Sequence, residues 1–169
     1  MDRSWNTNWR KSIIVLSGGF DPVHKGHLRM FREASNLGHQ VIVGLNSDDW
    51  LTRKKGKPFM KFEERKEILE SFKYVNQVLP FDDSDDTASD LIRRVHSLYD
   101  GEEHDHNYSD AGHMGMVGYY DIYFGNGGDR TSDNVPEMIV CKELDVTMLW
   151  GIGGGKVQSS SWLISGEEK

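Results

Sequence analysis

Two histidines at a three-residue spacing are the side chains of this sequence best placed to do chemistry. His24 and His27 bracket Gly26, and they follow the Gly18-Gly19 pair that ends an apolar run. Glycines directly after a buried strand let the backbone approach a ligand closely, and the N–H groups and dipole at a helix start attract an anion. Two imidazoles beside such an anion site predict phosphate chemistry. The simpler alternative is that one histidine caps the helix and the other packs in the core.

A basic segment and a buried cation form the second group of candidate residues. Residues 53–58 read Arg-Lys-Lys-Gly-Lys-Pro, and their Gly56 and Pro58 favour an irregular backbone. We interpret this segment as a mobile phosphate-binding loop, against the alternative of a solvated surface. Arg65 falls in the first turn of a predicted helix and on its apolar stripe, where a cation opposes the helix dipole. That position favours a bound anion nearby, the alternatives being solvent or a pair with Glu64.

Three polar or glycine-rich groups lie nearer the end of the chain. Gly127-Gly128-Asp129 follows a predicted strand, although an aspartate there is nearly as typical of a plain turn. The serines at 159–161 open a short predicted helix and could offer hydroxyl groups to phosphates, whereas a simple N-cap needs one serine. The glycine-rich run at 151–155 is interpreted as a flexible loop.

The elements that must position these residues alternate along the chain. Apolar runs predict five strands at 12–17, 40–45, 76–81, 119–124 and 145–150. Helical periodicity appears at 26–37, 62–73 and 87–98, the last behind Asp86 as N-cap, and a further helix is predicted from Asn134 and Pro136 through Cys141. This order predicts an α/β fold, a Rossmann-like doubly wound five-stranded parallel sheet with helices on both faces. Ligands then bind at the carboxyl ends of the strands.

Length and composition limit the classes of protein further. The 169 residues fit one domain at 1–169, with an exposed insertion expected at about 99–118 because that segment is rich in glycine and acids and lacks apolar period. No apolar run is long enough to span a bilayer and no secretory signal is visible, so we expect a cytoplasmic protein without a membrane partner. The lone Cys141 is expected in the core, without a catalytic role.

The net charge of −7 argues against a nucleic-acid partner. It is unevenly spread, because residues 82–110 hold ten acids and two bases while 53–66 hold seven bases and two acids. The segments expected around the site are therefore basic and suit a small polyanion.

Several motifs together resemble a known family. The stretch Phe20-Asp21-Pro22-Val23-His24-Lys25-Gly26-His27-Leu28 is similar to the His-x-Gly-His signature of the cytidylyltransferase-like nucleotidyltransferase superfamily. Four further motifs resemble its glycerol-3-phosphate cytidylyltransferase and heptose-1-phosphate adenylyltransferase branch: Asn46-Ser47-Asp48 with Lys54, Glu64-Arg65, Gly127-Gly128-Asp129, and Ser159-Ser160-Ser161 in place of Ser-Thr-Thr.

The resemblance implies transfer of CMP or AMP from CTP or ATP to a small phosphorylated polyol or sugar, with release of pyrophosphate and with Mg²⁺ on the triphosphate. It implies catalytic roles for His24, His27, Lys54 and Arg65, and contacts from Asn46, Lys54 and Lys57 to the acceptor substrate. The two histidines would also bind the nucleotide, together with Gly18, Gly19, Phe20, Gly128, Asp129, Lys156, Ser159, Ser160 and Ser161. Asp21 either anchors the loop that carries the two histidines or contacts a ligand. By analogy with relatives, a homodimer is expected.

Two departures from the branch keep alternatives open. The branch carries an arginine shortly before its Ser-Thr-Thr motif, whereas this chain offers Lys156, a point charge without the guanidinium fork. The choice between CTP and ATP is not decided by the sequence. One alternative is an adenylyltransferase of coenzyme assembly, acting on pantetheine phosphate or nicotinamide mononucleotide, but those enzymes usually have a basic residue after the serines. The other is a non-catalytic nucleotide-binding scaffold.

Overall fold

The computed structural model describes residues 11–38, 40–99, 120–128, 130 and 135–166. Five strands lie at β1 (Lys11–Gly18), β2 (Gln40–Leu45), β3 (Gln77–Pro80), β4 (Tyr120–Gly127) and β5 (Thr147–Ile152). Six helices lie at α1 (Lys25–Leu37), α2 (Asp48–Lys55), α3 (Phe62–Glu70), α4 (Ser89–Tyr99), α5 (Met138–Glu143) and α6 (Ser160–Ser165).

The five strands form one parallel sheet in the order β3-β2-β1-β4-β5. From the central β1 the chain builds outward through β2 and β3, and then returns to the other side of β1 for β4 and β5. This arrangement confirms the predicted Rossmann-like doubly wound fold. The reversal occurs between β1 and β4, where Val15 lies opposite Phe124. In sheets of this kind, ligands bind beyond the carboxyl ends of the strands at such a reversal.

The two faces of the sheet are covered by different helices because successive strand side chains point to opposite faces. Ile13 and Val15 of β1 pack in a core that includes buried residues of α4 and α5. Ile14 and Leu16 face the other way and pack in a second core, which includes Phe31 of α1 and Leu69 of α3. The sheet thus has a buried layer on both faces, as the apolar runs of β1 and β2 predict.

Helix α2 corrects the predicted irregular loop at 53–58, because residues 53–55 form its last turn. The Ser47 hydroxyl accepts the N–H of Trp50 at 3.0 Å and caps the helix start. Two aspartates occupy the first turn and three cations the last, which suits the helix dipole at both ends. Gly56 ends the helix with φ +88°, a conformation that favours glycine.

Other helix boundaries also differ from the prediction. Helix α4 begins at Ser89, and Asp86, the predicted N-cap, instead has φ +63° and pairs with Arg53. Helix α5 begins at Met138, two residues after Pro136. Strands β4 and β5 end later than predicted, at Gly127 and Ile152, so part of the expected glycine loop belongs to β5.

Some expectations fall outside the described residues. The expected insertion lies there apart from Tyr99, which is the last residue of α4. Asp129 and Asn134 lie there too. None of the described helices is long and apolar enough to cross a membrane.

Candidate active site

A cleft of about 350 Å³ opens at the carboxyl ends of β1 and β4, at the reversal of the sheet. Three segments of chain build it. The first contains Ser17, Met30 and the histidine loop, our name for residues 20–27. The second is the end of β4 from Gly125 together with Arg130. The third runs from Ile152 to Ser160. We call residues 153–160 the strap, because they run from the end of β5 to the start of α6.

The two histidines make a reciprocal cap at the start of α1. His24 is the N-cap, and its Nδ1 accepts the N–H of Gly26 at 3.1 Å. His27 is three residues later, and its Nδ1 accepts the N–H of His24 at 3.2 Å. This is the geometry of a capping box, in which a polar N-cap and the third helical residue accept each other's backbone N–H groups. The two rings are stacked, with centroids 3.7 Å apart and planes 22° apart.

The cap fixes the proton on each imidazole. Because each Nδ1 accepts a backbone N–H, a neutral ring carries its proton on Nε2 and presents that nitrogen as a donor. Burial lowers the pKa of His24, and burial together with the nearby His24 lowers the pKa of His27 to about 3. The lowered pKa values favour the neutral form of both rings near pH 7, and both rings line the cleft with Nε2 as the donor that the cap leaves unused.

This geometry revises the expected anion site at the helix start. The sequence predicts that N–H groups of the first turn are available to a ligand, but Gly26 donates its N–H to the His24 ring. Both histidines cap the helix, and neither is a spare core residue. The Gly26 N–H is therefore already used by the cap, whereas the Nε2 atoms of the two rings are not.

The charged side chains in the described lining of the cleft are cations. Lys156 and Arg130 line it, and the described lining contains no aspartate or glutamate. The Lys156 ammonium lies 4.8 Å from the centre of the Trp162 ring, a cation–π contact that supports it from outside the cleft. This local balance is opposite in sign to the chain's net charge of −7 and favours an anionic ligand.

The structure brings part of the predicted site together. His24, His27, Gly128, Lys156, Ser159 and Ser160 all line the cleft. The remaining predicted residues that the structure describes are outside its lining: Gly18, Gly19, Phe20, Asn46, Lys54, Lys57, Arg65 and Ser161. Phe20 nevertheless contacts the site, because its ring meets the His27 ring edge-on at 4.8 Å.

Arg65 needs no bound anion, which corrects the inference from its position in the helix. The side chain is fully buried, and its guanidinium donates to the carbonyls of Gly19 and Asn46 at 2.7 and 2.9 Å. It also pairs with Asp48 at 2.7 Å. Arg65 therefore ties α2 and α3 to the loops after β1 and β2, and its partner is Asp48 rather than Glu64.

Asn46 and Lys54 likewise have partners within the protein. The Asn46 amide donates to Asp83 at 3.0 Å, and Asp83 also accepts the N–H and hydroxyl of Ser47, both at 2.7 Å. The Lys54 ammonium lies 4.0 Å from an oxygen of Asp86. Their predicted contacts with an acceptor substrate stay predictions.

Asp21 anchors the histidine loop, one of its two expected roles. Its oxygens accept the backbone N–H groups of Phe59 and Met60, each at 2.7 Å, and lie 2.9 Å from the Lys55 ammonium. Burial raises the pKa of this carboxyl, but the hydrogen bonds from Lys55 and the two backbone groups outweigh it and hold the pKa below its usual value.

Sequence reasoning missed four polar residues of the described lining, namely Ser17, Asn126, Arg130 and Gln158. Arg130 directly follows the motif ending at Asp129, so attention to the cation after Gly-Gly-Asp could have found it. Asn126 is buried inside the end of β4, where an apolar residue is typical. A polar residue at the end of a buried strand is the signal that marks it.

Comparison with known proteins agrees with this geometry. A family model described as cytidylyltransferase-like matches residues 15–123 of the chain. The chain belongs to the cytidylyltransferase-like family. The match includes the second half of β1, the turn that carries the two histidines and the first half of β4, and it therefore covers one of the three segments of the cleft.

Two curated relatives of the family show how far the similarity extends. The chain is 37% identical over 78 residues to the glycerol-3-phosphate cytidylyltransferase of Bacillus spizizenii, covering 46% of this chain and 60% of that one. It is 36% identical over 87 residues to the bifunctional protein HldE of Coxiella burnetii, covering 50% of this chain and 18% of that one. The aligned part is thus less than two thirds of either relative.

Solved structures agree with the fold over a longer stretch. The lipopolysaccharide core biosynthesis protein of Thermoplasma volcanium has a TM-score of 0.57 at 16% identity, covering 83% of this chain and 94% of that one. A structure from Vibrio parahaemolyticus has a TM-score of 0.54 at 16% identity, covering 94% and 90%. At these identities the similarity concerns the fold alone.

Proposed function

We propose that the protein is a nucleotidyltransferase that moves CMP or AMP from CTP or ATP to a small phosphorylated polyol or sugar and releases pyrophosphate. One observation carries the proposal: two neutral, stacked imidazoles have Nδ1 held by the backbone, and this leaves two fixed Nε2–H donors in a cationic cleft. Membership of the cytidylyltransferase-like family supports the same reaction class.

The reaction needs charge stabilisation more than it needs a base. A phosphate oxygen of the acceptor attacks the α-phosphorus, the bond to the β-phosphate oxygen breaks, and pyrophosphate leaves with that electron pair. The attacking oxygen is already anionic, so no proton has to be removed from it. The Nε2–H groups of His24 and His27 donate to triphosphate oxygens as their charge grows. Lys156 and Arg130 neutralise the remaining phosphate charge.

Mg²⁺ is proposed to arrive with the nucleotide. Mg²⁺ prefers oxygen ligands and is commonly held by substrate phosphates and water. The described lining of the cleft carries no carboxylate, and this donor set fits an ion held mainly by the triphosphate. When bound, the ion would neutralise phosphate charge, while the histidines and Lys156 orient the chain of phosphates.

The acceptor and the base define the finer part of the proposal. The name of the Bacillus relative favours a glycerol phosphate as acceptor, and the motifs that resemble the heptose-1-phosphate adenylyltransferases favour a heptose phosphate as the other candidate. We propose a homodimer of this chain in solution, with neither a nucleic acid nor a membrane as partner.

The test is a coupled assay for released pyrophosphate. The purified protein with Mg²⁺ is given CTP or ATP together with glycerol-3-phosphate, heptose-1-phosphate, pantetheine phosphate or nicotinamide mononucleotide. We expect turnover with one of the first two acceptors and with one base in clear preference. Turnover only with the last two would instead support a coenzyme adenylyltransferase. Nucleotide binding without any turnover would support the scaffold alternative.

A further inference from the structure

Glu33, which none of the recognised motifs includes, contacts the strap directly. Its carboxylate accepts the backbone N–H of Gly153 at 2.7 Å. His27, Met30 and Glu33 are spaced by three residues along α1, so they lie on one side of that helix. Two of them line the cleft. The side of α1 that carries His27 and Met30 therefore also contacts the first residue of the strap, through Glu33.

Gly153 is packed so tightly against α1 that its place is fixed. It has φ +85°, and a Cβ atom there would lie 2.9 Å from the backbone nitrogen and 3.0 Å from the Cα of Met30. A side chain is therefore excluded both by backbone conformation and by helix backbone, which cannot move aside easily. The hydrogen bond to the Glu33 carboxylate and the close packing on Met30 therefore both hold Gly153 in position.

The rest of the strap contacts the histidine loop. Val157 has a methyl group 3.7 Å from where a Cβ on Gly26 would be. At the far end, the hydroxyl of Ser160 donates to the carbonyl of Pro22 at 2.8 Å. The strap is thus fastened to α1 at Gly153 and to the histidine loop at Ser160, and Lys156 lies between these two points.

We propose that Glu33 is a positioning residue for the triphosphate subsite: its hydrogen bond to Gly153 sets the strap, and with it Lys156, at the distance that binding requires. The inference rests on the proposed nucleotidyltransferase function. Glu33 lies outside the cleft lining, so its proposed role is to position the strap. A misplaced strap weakens the contacts to phosphate while the two histidines stay in place.

The test separates the hydrogen bond from the charge of Glu33. In Glu33→Ala the acceptor is lost, in Glu33→Asp it is withdrawn by one methylene, and in Glu33→Gln an amide oxygen can still accept the N–H. Glu67→Ala is the matched control, because it removes an exposed helical glutamate from α3. The measurements are KM for CTP and ATP, kcat, the nucleotide Kd by calorimetry and the melting temperature.

We expect Glu33→Ala to raise KM and Kd for the nucleotide about tenfold with a smaller change in kcat. Glu33→Asp should lie between it and the wild type. Glu33→Gln should restore values near the wild type, and Glu67→Ala should leave all of them unchanged. A structural role alone would lower the melting temperature of Glu33→Ala without moving KM.

A second pair of variants tests the same strap without touching Glu33. Gly153→Ala should raise KM for the nucleotide because its Cβ meets the Met30 backbone. Gly166→Ala has a similar positive φ of +73° but open space around its Cβ, so it controls for backbone strain alone.

The outcomes distinguish this inference from the proposed function. Wild-type turnover with an unchanged nucleotide KM in both Glu33→Ala and Gly153→Ala overturns the role of Glu33 and leaves the reaction intact. A wild type that neither turns over nor binds nucleotide overturns both.

Discussion

His24 and His27 do two jobs with different atoms of the same ring. Nδ1 of each imidazole accepts a backbone N–H and starts α1, while Nε2 is left as a donor in the cleft. A glutamate at the third helical position can make the same reciprocal cap through its carboxylate. The two jobs can therefore be separated by substitution.

We predict that His27→Glu keeps the fold and loses turnover. The carboxylate can accept the His24 N–H, but it cannot donate to phosphate and it adds a negative charge beside the anion. Turnover should fall by about 100-fold or more, while the protein still unfolds cooperatively, at a lower melting temperature because the surroundings of residue 27 disfavour a charge. Pyrophosphate release and thermal unfolding are the measurements. Unchanged turnover would remove His27 from the catalytic machinery.

The half-buried, neutral ring of His27 predicts how stability depends on pH. Burial, together with the nearby His24, lowers the pKa of His27 to about 3 in the folded protein, against an ordinary value of 6.5. The unfolded chain therefore takes up a proton that the folded chain does not, as pH falls from about 6.5 toward 3. The melting temperature should drop through this window, and His27→Glu should reduce the part of the slope that is due to histidine. A melting temperature that does not change from pH 7 to pH 4 would contradict the lowered pKa of His27.

At the scale of elements, the buried Arg65 joins two helices to two loops. Replacing it with methionine leaves the carbonyls of Gly19 and Asn46 without their donor and Asp48 without its partner. We predict that Arg65→Met lowers the free energy of unfolding by about 3 kcal/mol, measured by urea denaturation. If activity disappears while stability is unchanged, Arg65 acts on the ligand after all.

The sequence was most informative where one local signal determines the structure. Apolar runs predict the strands of the sheet, and the His-x-Gly-His spacing predicts the turn at the centre of the cleft. Long-range contacts could not be predicted in this way. The partner of Arg65 is 17 residues away and that of Glu33 is 120 residues away, so no spacing rule identifies them. Helix α2 is a different case. Its capping serine and its charge pattern are present in the sequence, but the glycine and proline after it favour an irregular backbone and so predict a loop.

At the scale of the whole molecule, charge is divided between regions. The cleft lining has two described cations and no described acid, although the chain carries −7 overall. We predict that KM for the nucleotide rises with ionic strength, because salt screens the attraction of a polyanion to Lys156 and Arg130. Steady-state assays from 50 to 500 mM KCl test this expectation, and Arg130→Gln should flatten the dependence. A KM independent of salt would contradict a cationic subsite.

The single thiol of the molecule offers a separate check. Cys141 is buried in the core, and burial, together with Glu137, raises its pKa to about 11. We predict that iodoacetamide at pH 8 does not label the folded protein and does not change its turnover. Labelling of Cys141 should appear only when the protein unfolds. Mass spectrometry of treated protein measures this, and inactivation by rapid labelling would contradict it.

The double use of the two imidazoles also affects how such a motif is read in evolution. A descendant that lost its substrate would still need side chains at positions 24 and 27 that accept backbone N–H groups and begin α1, so selection for folding would keep acceptors there. Lys156 and Arg130 do not start any element of the fold and would be free to drift. Their presence is therefore a more sensitive mark of a working enzyme than the histidines that identify the family.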